Sequence, residues 1–279
     1  MKRIWSAAIA LSCLAIASCR PGDNRGAAAS DASAKDLAKW VATDPPKPDS
    51  DRWRTANSSS REWSVTLREG RPFAQFHNPR VDDSAKLPFT IERAMAADGL
   101  AGDIYATKVG DGWIVGFNAG EFGAGLWWFS PDGKQRYKIS QDQVCAFLET
   151  DRGLLALEGL AHLGLSRGQL IRISPGENGK WKSEPLADLK DEPGAATRDM
   201  DGSLLVVTYE RLLRVRPDNR VDVLIDKAFW AGLYPNSIVV DASGTVYIGM
   251  RFGVAKLTSA SDKWIVAWLV PNKAADAGR

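Results

Sequence analysis

The sequence predicts an all-β fold assembled from recurring four-stranded antiparallel sheets, and three observations carry that prediction. Beyond residue 60 the apolar residues follow a period of two rather than 3.6, the signature of strands. The segments are rich in β-branched and aromatic residues and are punctuated by Asp-Gly and Pro-Asp turns. These turns recur, with Gly112, Gly153, Gly202 and Gly244 lying 41, 49 and 42 residues apart, the length of one supersecondary unit. With 279 residues, 44% hydrophobic and 25% charged, the chain can bury such a core, which excludes wholesale disorder and a fibrous repeat.

Taken in order, the first unit is expected from strands at 63–67, 73–77 and 89–92. The second turns at Asp111-Gly112 and Pro131-Asp132-Gly133 and carries Trp127-Trp128 on a strand, where neighbours point to opposite faces and pack between sheets. The third turns at Arg152-Gly153, and Cys145 in its apolar stretch reads as a small buried hydrophobe. The fourth has strands at 204–207, 212–215 and 221–225. The clearest unit is the last, with strands on both sides of Ser243-Gly244, a third at 253–257 and a fourth at 264–270.

Four antiparallel strands per copy at this period resemble a β-propeller blade. The unit at 236–257 is similar to the repeat of the periplasmic propellers of two-component sensors, and more distantly to the NHL and gluconolactonase propellers. Dividing residues 61–279 by the mean spacing gives about five blades, or six if linker residues add strands. Closing the ring would require the N-terminal segment to pair with the last blade, because an open propeller leaves bare strand edges.

The N-terminus reads as an address. Lys2 and Arg3 precede an apolar run at 4–17, too short to span a bilayer, so residues 1–18 are expected to be a signal peptide. The run ends Ile16-Ala17-Ser18-Cys19, which resembles the bacterial lipoprotein box, and the resemblance implies acylation of Cys19 and membrane attachment through its lipid. Arg20 after that cysteine, where Asp would mark inner-membrane retention, favours a periplasm-facing place on the outer membrane. Residues 19–60 are dominated by Ala, Ser, Asp, Pro and Gly and read as a flexible tether, with one short helix at 34–43 that sets Leu37, Trp40 and Val41 on one face.

Lys and Arg total 36 against 34 Asp and Glu, too dispersed a balance for a phosphate-binding stripe, so nucleic acid is not an expected partner. Discarding Cys13 and lipidating Cys19 leaves Cys145 without a disulfide partner. No Gly-x-Ser-x-Gly elbow, phosphate loop, His-Glu-x-x-His or Cys-x-x-Cys occurs, so nucleophilic and zinc chemistry lack a motif.

In a propeller the second-to-third-strand and blade-to-blade loops share one face, and here they read as long and chemically loaded. Glu121 and Phe122 sit between glycines, Glu158 and His162 fall in an expected loop at 158–168, and Phe229, Trp230 and Tyr234 precede the last unit. Asn236, Arg251 and Phe252 complete the candidate binding set. The glycine-flanked Glu121 is either a presented charge or a solvated hairpin residue, and His162 is either a ligand or a hydrogen-bonded structural histidine.

Two function classes follow, with a structural envelope spacer as a third. The first is a non-catalytic module that holds an unidentified periplasmic protein or envelope component without a cofactor, in assembly, in sensing or as an immunity factor. The second is a metal-dependent hydrolase: Pro235-Asn236-Ser237 resembles the Asn element of gluconolactonase-like propellers, which implies a divalent cation such as calcium on Asn236, with Glu121 or Glu158 offering the carboxylate. Ser237 in place of Gly, and the absence of a later blade to supply an Asp, depart from that pattern.

Overall fold

The structure, a computed structural model, describes residues 35–77, 86–91, 99–261 and 263–272. The signal peptide, the lipoprotein box with Cys19, and Glu92 lie outside them. The described chain begins with β1 (Lys35–Asp36), a 3-10 turn (Leu37–Lys39), β2 (Val41–Thr43) and α1 (Asp51–Asn57). The hairpin of β3 (Glu62–Arg68) and β4 (Arg71–His77) follows.

Four consecutive meanders make up the rest. The first contains β5 (Asp103–Val109), β6 (Gly112–Asn118), β7 (Ala124–Phe129) and β8 (Arg136–Ser140). The second contains β9 (Val144–Thr150), β10 (Gly153–His162), β11 (Leu165–Pro175) and β12 (Trp181–Asp188). Then come β13 (Pro193–Arg198), β14 (Leu204–Thr208), β15 (Leu212–Val215) and β16 (Val221–Ile225). The last meander is β17 (Ser237–Val240), β18 (Val246–Met250), β19 (Gly253–Ala260) and β20 (Lys263–Val270).

In each meander the chain steps outward from its first strand, and the first strands pack on one another across sheets: β5 with β9, β9 with β13, β13 with β17, and β17 with β3. This is the blade arrangement of a β-propeller, with five sheets among the described residues. Burial follows it. All residues of β14 and of β18 are buried because a neighbouring sheet covers each face, whereas β8 and β16 are half-buried on the outside. Close approach demands glycine at the seams. A Cβ on Gly249 would lie 2.3 Å from the carbonyl oxygen of Trp63, and one on Gly194 would lie 2.1 Å from that of Pro235.

Three sequence expectations change here. The helix at 34–43 does not form: the described part runs as β1, a 3-10 turn capped by Asp36, and β2. A helix of so few residues is marginal in water, and two sheet edges offer its backbone partners. Lys35 pairs with Ala74 and Asp36 with Phe73, while Val41, Ala42 and Thr43 pair with Val270, Leu269 and Trp268. The tether expected over 19–60 is therefore docked from residue 35 onward, and its pairing with β20 is the one that ring closure requires. Trp40 packs edge-on against Trp63 at 4.9 Å and Leu37 is buried, which offsets the entropy of ordering.

The third change concerns residues 89–92, expected as a strand of the first unit. Phe89 instead stacks on Phe129 at 5.6 Å, and Leu87 and Ile91 join it over the core around Leu100, Val115 and Phe117. The edge of β4 that this strand would have filled is taken by β1.

Candidate functional site

The entry positions of the first strands and the ends of the second strands lie at one end of the sheets, and most of the buried polar side chains collect there. Gln143, Glu192 and Asn236 immediately precede β9, β13 and β17, and Glu62 opens β3; all four are buried. Asn118, Glu158, Asp191, Thr208 and Ser237 complete the set at this end. The opposite end holds the tight turns Gly110–Asp111, Asp151–Arg152, Asp199–Ser203 and Asp241–Thr245.

Buried polar groups need partners, and here they largely find one another. Gln143 Nε2 donates to Asn118 Oδ1 at 3.0 Å and to the Gly120 carbonyl at 2.7 Å. Arg167 donates from Nη2 to Gln143 Oε1 and from Nη1 to Glu158 Oε2, both at 3.0 Å. Burial pushes the Glu158 carboxyl above its usual range, opposed by the Arg167 charge and hydrogen bond. Asp191 accepts from Ser166, from Thr208 Oγ1 at 2.6 Å and from the Glu210 amide at 2.9 Å. Tyr209 has its hydroxyl pKa raised, chiefly by burial and further by Tyr234, Glu210, Asp191 and Glu192 around it. Sequence reasoning missed Gln143, Arg167, Asp191, Glu192 and Tyr209. The signal that marks them is position: Gln143 and Glu192 occupy the same place relative to their strands as Asn236 does to its own.

The residues singled out from sequence fall into three groups. The Glu121 carboxylate and the His162 Nε2 meet in direct polar contact between the 3-10 turn Gly120–Phe122 and the end of β10. Phe122 beside them is 66% exposed. The expected loop at 158–168 is a correction: β10 and β11 pair without interruption from Leu154↔Ile173 to His162↔Leu165. Leu163 and Gly164 alone make the turn, both at positive φ (47° and 84°), the geometry of a type I′ hairpin. Glycines at 159 and 168 allow this hairpin to lie against Pro193 and the Asp191 carbonyl. Its tip exposes Leu163 at 81% and Leu165 at 57%.

The aromatic loop before the last unit is a second correction. Trp230 is fully buried and donates from Nε1 to the Thr208 carbonyl, with Phe229 edge-on at 5.6 Å. Phe229 and Phe252 both pack on Trp268, at 6.2 and 5.8 Å. The cover is α1, from the segment read as tether: Trp53 Nε1 donates to the Ala231 carbonyl and Asn57 Nδ2 to that of Gly232. Trp230 is therefore core rather than a presented anchor, and Phe229 and Phe252 are partly buried against the same cluster.

In the third group, Arg251 lies 3.8 Å over the Tyr234 ring, donates to Glu62 Oε1 at 3.2 Å and reaches the Asn57 carbonyl at 2.8 Å. Asn236 sits beside this cluster at the mouth of β17. Its Oδ1 accepts the Ser237 hydroxyl at 2.8 Å, and Glu121 is engaged with His162. One accepted hydrogen bond leaves that amide oxygen a second acceptor site, but the described residues contain no group of three or more His, Cys, Asp and Glu able to hold a metal.

No protein-family model matches the sequence, and no curated protein does. Solved structures with propeller folds do resemble it. A streptogramin B lyase matches over 62% of this chain with 14% identity and a TM-score of 0.39, and the chain spans 55% of that lyase's length. The extracellular domain of a one-component system from B. thetaiotaomicron matches over 67% of this chain and 24% of its own, with 16% identity and a TM-score of 0.36. A gluconolactonase-like protein matches over 92% of this chain and 88% of its own, with 14% identity and a TM-score of 0.37. Similarity at this level carries neither residue correspondence nor activity to this chain. No helix among the described residues is long and apolar enough to cross a membrane.

Proposed function

We propose that this chain is a secreted, lipid-anchored propeller whose blade-entry end holds a protein partner and performs no chemistry of its own. One observation carries the reading: the tip of the β10–β11 hairpin displays two exposed leucines beside an exposed phenylalanine, supported from below by a polar network whose charges are paired internally. Leu163 adds to this. A leucine at φ 47° is strained, and at 81% exposure it gains almost nothing from the fold in return. Apolar groups held outward on a rigid support are what a partner's pocket recognises. The anchor reading rests on Cys19 at the end of the apolar run.

Affinity capture from detergent-solubilised envelope tests it. The full chain is expected to retain a partner that the Phe122→Ser and Leu163→Asp variants release while keeping the parent melting temperature. A partner retained equally by both variants, or none at all, would overturn the reading. The anchor is tested separately by the mass of the mature chain, expected to begin at an acylated Cys19.

A further inference from the structure

The β10–β11 hairpin runs on past its neighbours. β9 pairs with β10 only as far as Val144↔Glu158, and β12 with β11 only as far as Gln169↔Asp188, so the rungs from Gly159↔Gly168 to His162↔Leu165 form a two-stranded ribbon. Its two-residue turn fixes where each backbone group points. His162 and Leu165 close the turn as a hydrogen-bonded pair and Leu160↔Arg167 is the next such pair, so Gly159, Ala161, Ser166 and Gly168 turn their N–H and C=O groups outward. Two bonds bear out that parity: the Gly159 N–H reaches outward to the Gln143 carbonyl, and the Gly168 carbonyl accepts from Leu189. The β11 edge is then covered by the chain that leads to β13, where the Glu192 N–H donates to Ser166 Oγ and the Ser166 hydroxyl to Asp191. The β10 edge has no such cover beyond Gln143. Ala161 is partly exposed, and its outward N–H and C=O meet no partner among the described residues.

We propose that this bare edge of β10 takes an extended segment of the partner protein as an added strand centred on Ala161; this rests on the protein-binding reading above. An outward N–H and C=O on one strand residue match the backbone of a second extended chain, which exchanges both bonds with it. The edge carries none of the devices by which sheets block such pairing. Residues 159–162 read Gly-Leu-Ala-His, without proline, lysine or a bulge, and the irregularity in β10 falls earlier, between Leu157 and Glu158. Side chains of an added strand alternate between the two faces of the ribbon. One face carries His162 and Leu165, and the Gly120–Phe122 turn lies on it through the contact of Glu121 with His162. Phe122 and Leu165 are exposed there. The segment that fits is therefore extended and sets an apolar side chain on that face. A second copy of this chain would offer only the same four-residue edge with its own blades behind it, whereas a free segment continues past both ends.

The test uses the full chain and the envelope protein that it captures. Ala161→Pro removes the outward N–H and sets a ring on the edge, while the bonds of Leu160 and His162 to β11 are untouched, because proline is tolerated where the N–H faces away from the ladder. It is expected to weaken capture about tenfold or more at an unchanged melting temperature, and Ala161→Ser, which keeps the N–H, is expected to retain the partner. Hydrogen exchange on the parent chain gives a readout that does not depend on the proline variant folding. In the free chain the Ala161 amide is expected to exchange faster than those of Leu160 and His162, and in the complex to slow by about tenfold or more. Capture undiminished by Ala161→Pro, or an Ala161 amide that exchanges equally fast in the complex, would overturn the proposal. So would an Ala161 amide already protected in the free chain, which would mean that the chain's own segment fills the edge, or a dimer in sedimentation that Ala161→Pro dissociates, which would make a second copy the occupant. If the edge fails these tests while Phe122→Ser and Leu163→Asp still release the captured protein, the recognition end stands and the added strand falls; no captured protein overturns both.

Discussion

Replacing Leu163 by Asn is expected to make the protein more stable and a poorer binder at once. The residue occupies the first position of a type I′ turn at φ 47°, followed by Gly164 at φ 84°, and Asn-Gly is the pair that this turn favours. An L-residue in the left-handed region costs about 1–2 kcal/mol, and asparagine escapes much of that through local hydrogen bonding. Against this stands the lost burial. At 81% exposure only about a fifth of the leucine is covered, so of the roughly 1.5–3 kcal/mol for burying a whole leucine some 0.3–0.6 kcal/mol is forfeited. The net gain is about 0.5–1 kcal/mol, or a rise of roughly 1–4 °C in melting temperature for a domain of this size. Differential scanning calorimetry on parent and variant measures the first half, and envelope capture measures the second. A melting temperature that falls, together with unchanged capture, would mean that Leu163 is held by packing, and the argument from strain and exposure would fail.

Other outcomes follow from the same geometry. Trp230→Ala removes a fully buried indole and its hydrogen bond to the Thr208 carbonyl and is expected to cost about 3–5 kcal/mol in denaturant unfolding, far more than an exposed loop aromatic would. Arg167→Ala strands the Glu158 carboxylate and is expected to cost about 2 kcal/mol at neutral pH, discounted because the guanidinium is half exposed. The Glu158 pKa is raised on folding, so the folded state holds its proton more tightly and stability declines as pH rises through that window. The defect is therefore expected to shrink on acidification, as read from melting temperatures across mildly acid pH. Asp241 at the opposite end behaves inversely. Burial raises its pKa, but hydrogen bonds from Ser243, Thr245 and Tyr247 outweigh this and hold it below its usual range. Its contribution is present above the unfolded carboxylate pKa and is lost as pH falls through the folded one. Asp241→Asn is expected to lower stability at neutral pH by about 1–2 kcal/mol and to flatten the acid limb of the stability curve.

The outer part of the functional end misleads a reader of the sequence for a definite reason. Phe229, Trp230 and Phe252 sit in turns bounded by glycine or arginine, and nothing local says that Trp53 and Asn57, some 175 residues earlier in the chain, will be laid over that loop. The stretch 158–168 contains three glycines, which read as a loop by composition. Gly164 instead makes a two-residue turn, and Gly159 and Gly168 let the β10–β11 hairpin lie against Pro193. Residues 34–43 show helical spacing, yet two unfilled sheet edges outcompete a helix too short to be stable alone.

Period-two alternation, the recurring glycine turns and the apolar run ending at Cys19 were enough by themselves to determine an all-β chain of repeated four-stranded sheets and to mark its expected export, because those features depend only on neighbours along the chain. Which polar residues share one end and which aromatics are covered were decided only by the tertiary structure. Each depends on strands and loops that are remote in sequence and meet only when the sheets pack side by side.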